Sequence, residues 1–469
     1  MIAPLITANL IWGRATEMTS DATFIQDASS AIQDDVRRTS GRPGPLAAAA
    51  HKLLTGFFGR LVTNGRLSLI DPWGHIHHFG QADGPHVTVR IKSASTLYRI
   101  LLRPYLYAGE AYMDGALSIE EGGLRELLYI CTSNQDALNN TAFASAFGKA
   151  GKALRKLHQF NTQSRSRSNV AHHYDLSGTL YDLFLDADRQ YSCAYFPDGD
   201  ESLEEAQYKK KQLIASKLLL KPGQRVLDIG CGWGGMALHL ARTAGADVTG
   251  ITLSQEQLSV AQERAATAEL SDHVRFLLRD YRDECGAYDR LVSVGMFEHV
   301  GVNHYAQFFD KCRDLLKPDG VGLLHAIGRM EPPDSTNPWL RKYIFPGGYC
   351  PALSEVLGAI EHAGLWVTDI EILRPHYADT LRHWQDRFQA NRDAIKALYD
   401  ERFCRMWEFY LASCEMSFRT GPMMVFQIQF ARSRDAVPRA RNYLDAAKAA
   451  PDVRTAEMNA PVKDRRFAP

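Results

Sequence analysis

No run of apolar residues in this chain reaches the roughly 18 that a membrane-spanning helix needs. The apolar start, Met1 to Trp12, has no basic stretch before it and is itself too short to cross a bilayer. Net charge is missing as well. The 54 basic and 54 acidic residues cancel, which excludes a polyelectrolyte that binds nucleic acid along its whole surface and leaves any charged partner to a local patch. The eight cysteines, Cys131, Cys193, Cys231, Cys285, Cys312, Cys350, Cys404 and Cys414, include no Cys-x-x-Cys pair and no matching His spacing. That argues against structural zinc and for a reducing compartment. Together these absences point to a soluble cytoplasmic protein that meets a membrane, if at all, from its surface.

What is present is enough hydrophobic material, 45% of 469 residues, for a large core, and a chain of this length is expected to divide into two domains plus tails. Residues 1–50 mix Ser, Thr, Asp and Ala and read as a poorly ordered leader. Residues 51–135 read as a small α+β domain, with strand-like alternation around Gly65–Gly74 and His86–Ile91 and helices from Ser93 to Ser133. Residues 136–170 hold Lys149, Lys152, Arg155, Lys156, Arg165 and Arg167 with no acid after Asp136. This stretch reads either as a solvated linker or as a basic strip for anionic headgroups, where each Lys or Arg is worth about 1 kcal/mol. Residues 171–435 form the main domain and 436–469 a tail. Within the main domain, Ser202 and Glu205 make a capping box that opens a long helix, ended by Lys221-Pro222-Gly223.

From Arg225 onward, strands and helices alternate: Arg225–Ile229, Asp247–Thr252, Val274–Leu278, Leu291–Val294 and Val321–Ile327, with later strands at Trp366–Leu373 and Met424–Phe430. That alternation predicts a parallel, doubly wound α/β sheet, whose ligand lies beyond the carboxyl ends of the strands. The long helical stretch with Trp384, Phe388, Leu398 and Trp407 is expected to cover that edge; the three aromatics read mainly as helix-face packing.

The first strand runs into Gly230-Cys231-Gly232-Trp233-Gly234, where glycine lets a ligand touch bare main chain and the following helix favours a negative group. The next strand ends carry Thr252 with Gln255 and Gln257, then Asp280 with Tyr281, then Met296-Phe297-Glu298-His299, then His325-Ala326-Ile327. A dinucleotide site would show Gly-x-Gly-x-x-Gly and an acid after the second strand. Here that strand ends in Thr252 and the acid, Asp280, follows the third, a pattern that suits a nucleoside without pyrophosphate.

Several further blocks stand in a definite order: His172-His173-Tyr174-Asp175, Tyr191-Ser192-Cys193, Val226–Gly235, Ser293–Gly301, Leu323-Leu324-His325, Tyr343–Gly348, His376–Leu381 and Tyr410–Phe418. Through them, residues 160–432 resemble the cyclopropane-fatty-acyl-phospholipid synthase family of S-adenosylmethionine-dependent methyltransferases, related to the mycolic acid cyclopropane synthases. The resemblance implies a Rossmann-like methyltransferase sheet with helical cap insertions behind a small N-terminal domain. It implies a homodimer acting on unsaturated phospholipid, peripheral on the inner face of the membrane.

In such a reaction an alkene, a poor nucleophile, attacks the methyl of a sulfonium, and positioning can supply effective molarities of about 10⁵–10⁸ M. A cation results, and a base must take a proton from the added methyl before water traps it. The resemblance implies that the base is a bicarbonate ion, with Cys193, Glu298, His325, Tyr377 and the Ile327 backbone around it and Cys414 close by. Hydroxyl, imidazole and thiol can donate to an anion, while Glu298 is expected to orient it. For S-adenosylmethionine the resemblance points to Tyr191, Ser192, Gly230, Gly232, Thr252 and Gln257, and the strand-end reading adds Asp280 and Tyr281. The residues alone do not choose between Gln257 and Gln255.

Overall fold

A computed structural model describes Gly56, Gly59, residues 62–81, 83–135 and 178–444. The leader, the basic strip, the His172–Asp175 block and most of the tail lie outside the described residues. The chain forms two compact units. The first takes in residues up to 146 together with 337–343 and 396–416, and the second takes the rest.

The first unit is built on a four-stranded sheet, β1 (Arg66–Ile70), β2 (Ile76–Gly80), β3 (His86–Ile91) and β4 (Leu117–Glu121), in the order β2-β1-β3-β4. Between β3 and β4 come α1 (Ala94–Leu102), whose N-cap Ser93 accepts from the Thr96 N–H, and α2 (Pro104–Met113); α3 (Leu124–Ser133) follows β4. The expectation of helices throughout Ser93–Ser133 therefore missed β4. Its polar sequence, Leu-Ser-Ile-Glu-Glu, leaves one face exposed and owes its strand state to pairing with β3. Trp339 is almost wholly buried in this unit, with its ring against Phe409, and Arg125 pairs with the buried Glu415.

The second unit opens with α4 (Gly178–Phe184) and α5 (Leu203–Leu218), whose capping box at Ser202 and Glu205 forms as expected. A seven-stranded sheet follows: β5 (Arg225–Ile229), β6 (Asp247–Thr252), β7 (Val274–Leu278), β8 (Tyr288–Val294), β9 (Leu316–Arg329), β10 (Trp366–Ile372) and β11 (Met423–Ala431). The intervening helices are α6 (Gly235–Ala244), α7 (Gln255–Thr267), α8 (Tyr305–Leu315), α9 (Pro338–Tyr343, in the first unit), α10 (Leu353–His362) and α11 (His376–Ala390). After α11 come α12 (Arg392–Leu398) and α13 (Glu401–Arg419).

The order is β10-β11-β9-β8-β5-β6-β7. The five strands β9 to β7 are parallel, as the alternation predicts, and their order reverses at β5. The last two break the pattern, because β11 inserts between β9 and β10 and is antiparallel to both. Alternate residues enter different cores: Leu227, Leu291 and Leu324 pack with α8 and α10, whereas Val226, Val292 and Leu323 pack with α5, α6 and α7. With both faces covered, the sheet is fixed and only its strand ends remain open to a ligand. Among the described residues no helix is long and apolar enough to cross a membrane.

Candidate active site

The turn after β5 takes its shape from glycine. Gly230 and Gly232 have φ of 82° and 54°, a region that side chains disfavour. A Cβ at Gly230 would stand 2.6 Å from that of Met296, while one at Gly232 would meet nothing within 4 Å. The first glycine lets two loops close up; the second presents bare backbone to open space. That space is a cavity with about 140 Å³ of room for water, roughly ten times what one water needs.

All eight residues expected at the cofactor line this cavity: Tyr191, Ser192, Gly230, Gly232, Thr252, Gln257, Asp280 and Tyr281. Helix phase turns one of the two glutamines toward the cavity and the other away. Ser254 caps α7 by accepting from the Gln257 N–H, so Gln257 turns inward, 4% exposed, and accepts from the Thr252 hydroxyl at 2.8 Å. Gln255 faces solvent. Asp280 is already engaged, with Arg282 bonding both carboxylate oxygens at 2.8 and 2.6 Å.

Two groups here were not singled out from the sequence, and a third, Trp384, was read there as helix-face packing. Asp228 lines the cavity, is 1% exposed and has no partner for Oδ2. Burial lifts its carboxyl to about 7, against a smaller opposing pull from Lys210. Lys210, in a run of three lysines that reads as surface, is fully buried and donates to Gln190 Oε1 at 2.6 Å and Ser192 Oγ at 2.8 Å. Burial brings its ammonium down to about 8. Trp384, fully buried, sets its ring 5.1 Å from Tyr191 and 5.8 Å from Tyr377, so it packs against a residue expected at the cofactor and one expected to be catalytic.

Of the six residues expected to be catalytic, Glu298, His325 and Ile327 lie on or just after β8 and β9, Cys193 is in a loop, and Tyr377 and Cys414 are on α11 and α13; none of the six lines this cavity. Gly295, which lines the cavity, donates its N–H to the His325 carbonyl at 2.9 Å, tying the end of β8 to β9. Glu298 follows in a short 3-10 turn; its Oε1 accepts from the Ile327 N–H at 2.6 Å, and its buried Oε2 has no partner. Burial pushes this carboxyl up to about 7. His325 is 2% exposed, and burial together with the nearby Lys210 and Lys217 ammonium groups holds its imidazole well below the usual range. Cys193 donates to the Ala194 carbonyl at 3.2 Å, and burial raises its thiol beyond any ionisation near neutrality. The Ala194 N–H is accepted by Thr380 of α11, the helix that also bears Tyr377. Cys414, half-buried on α13, belongs to the first unit, unlike the other five.

Lys210 is thus the common neighbour, its charge felt at Asp228, Cys193 and His325. The arrangement offers bare backbone, an unpartnered carboxylate and inward amides for a polar ligand. Beside it stands a carboxyl that changes charge near neutral pH.

A model of the mycolic acid cyclopropane synthetase family matches residues 161–428, and a domain of unknown function matches residues 70–142. The chain is 39% identical over 349 residues to the cyclopropane-fatty-acyl-phospholipid synthase of Escherichia coli (strain K12), covering 73% of this chain and 87% of that one. It is 36% identical to a tuberculostearic acid methyltransferase of Mycobacterium tuberculosis, covering 82% and 92%. Among solved structures it resembles a mycolic acid cyclopropane synthase complexed with SAH and CTAB, at 36% identity and a TM-score of 0.54 over 58% of this chain and 99% of that one.

Proposed function

The chain belongs to the mycolic acid cyclopropane synthetase family, and on that premise we propose that it is an S-adenosylmethionine-dependent enzyme forming cyclopropane fatty acids. It adds a methylene group to the cis double bond of an unsaturated phospholipid acyl chain. It works at the membrane surface on the inner face, as a homodimer. The observation that carries this reading is the cavity at the strand ends, where the expected cofactor residues meet and β8 leads on to the buried Glu298.

S-adenosylmethionine, when bound, supplies an electrophilic methyl group. The residues present fit it: the Gly230 and Gly232 backbone would lie against it, Gln257 and Thr252 would hold its ribose, and the unpartnered oxygen of Asp228 would take its ammonium. Asp280, held by Arg282, marks the adenine end beside Tyr281. Trp384, packed against both Tyr191 and Tyr377, would help to exclude water that would trap a cation.

Bicarbonate, when bound, supplies the base for ring closure. Glu298 orients it through Oε2, and the Ile327 N–H acts by pinning Oε1. His325 and Tyr377 would donate to the anion, with Cys193 among the residues expected to hold it.

A second reading, a methyl-branched product from the same cation quenched differently, is favoured by the likeness to the tuberculostearic acid methyltransferase. The two separate when the chain is expressed in bacteria lacking their own synthase and the membrane fatty acids are analysed by gas chromatography and mass spectrometry. A gain of one methylene with loss of the alkene supports cyclopropanation. A methyl branch or retained alkene supports the second reading, and unchanged lipids sink both.

A further inference from the structure

β11 carries two glutamines, Gln427 and Gln429, with no exposed surface, in a strand whose other buried positions are aliphatic or aromatic. An amide is costly to bury unless every group is bonded, so a pair of them implies a purpose-built polar seam. Gln429 serves the seam's anchor: its Nε2 donates to the Lys217 carbonyl, and its Oε1 accepts from Thr368 Oγ1 at 2.8 Å. Lys217 is fully buried on α5, and its ammonium pairs with Glu371 and donates to Gln427 Oε1 at 2.7 Å. The other end of Gln427, Nε2, lies 3.1 Å from His325 Nδ1. Gln427 and His325 face each other directly across the β11–β9 ladder, so the sheet itself holds this contact in register.

The chemistry of Lys217 makes the seam directional. An ammonium has donors only, so Gln427 must turn its carbonyl to Lys217 and its NH₂ to His325. Nδ1 then accepts, and the ring's one proton sits on Nε2. We infer that Gln427, held by Lys217, is a positioning residue that locks His325 as the neutral Nε2–H tautomer, so that this histidine can donate to an anion in the site and cannot itself be the base. The inference rests on the reading of His325 as an anion holder given above, and it deepens that reading by separating the donor from the base.

The test is a histidine-selective ¹⁵N spectrum of the full chain at neutral pH, with the His325 signals identified by their loss in His325→Asn. The expected result is a ring protonated at Nε2 alone. In Gln427→Glu the new carboxylate accepts from Nδ1–H, so the proton should appear there, on one or both nitrogens. In the same variant kcat should fall about 10–100-fold, the range for removing groups that orient a metal-bound histidine, while affinity for S-adenosylhomocysteine stays unchanged. A packing role would move neither the tautomer nor kcat alone. A wild-type ring protonated at Nδ1, or doubly protonated, overturns the inference even if no variant folds. Gln427→Glu leaving the proton on Nε2 overturns it equally. A wild type that makes no altered lipid refutes the functional reading instead, and the tautomer is read without it.

Discussion

Glu298→Gln changes the charge of one buried carboxyl while keeping its shape and its bond from the Ile327 N–H. In the native fold this carboxyl is 8% exposed with Oε2 unpartnered, and burial lifts it from the ordinary 4.5 to about 7. The native state therefore binds the proton more tightly than the unfolded one. Its contribution to stability is complete below about 4.5 and is lost as pH rises through about 7. Between about pH 5 and pH 8.5 the loss amounts to about 2–3 kcal/mol. The glutamine has no proton to lose, so the variant should gain that much on the wild type across the same interval. Urea unfolding of both proteins at the two pH values measures it. Lipid methylene transfer should fall about 100-fold or more, as when one preorganised polar group is taken from an active site. A variant that is more stable at high pH and less active is what a strained functional carboxyl predicts. A stability difference that stays constant with pH, or moves the other way, would refute the argument that this group is held neutral by burial.

Gly232→Ala places a methyl in the open cavity at a left-handed φ, and should cost roughly 1–2 kcal/mol of stability and about tenfold in affinity for S-adenosylhomocysteine by calorimetry. Gly230→Ala, whose Cβ would stand 2.6 Å from that of Met296, should lower the melting temperature further than Gly232→Ala does. Replacing Lys152, Arg155 and Lys156 together with Ala should weaken sedimentation with anionic vesicles at low salt, since each is worth about 1 kcal/mol near such headgroups. Unchanged binding would make that stretch a solvated linker.

Much of the site was legible because strand ends and turns are local features. Gly230, Thr252 and Asp280 each end or follow a strand whose apolar run is visible in the chain, His325 sits inside such a run, and a parallel sheet gathers strand ends at one edge. Gln257 could not be told from Gln255 until the Ser254 cap set the phase of α7. Lys210 and Lys217 were illegible for a different reason. Lysine is almost never fully buried without a partner, and their partners Gln190 and Gln427 lie 20 and 210 residues away. The exchange of β11 and β10 at the sheet edge also escaped, because period and propensity tell a strand from a helix and do not say which neighbour it pairs with.

By itself, then, the order of residues determined the alternating α/β pattern, the glycine turn and the identity of the groups that line the cavity at the strand ends. These depend on φ preferences, side-chain period and turn chemistry acting over a few residues. The tertiary structure alone decided the ionisation and direction of those groups. Burial lifts Asp228 and Glu298 toward neutral pH and, with Lys210 and Lys217 adding to it, lowers His325, while a glutamine from the antiparallel β11 takes up its Nδ1. Desolvation and hydrogen-bond direction are properties of what surrounds a group, and those surroundings exist only once distant segments have packed.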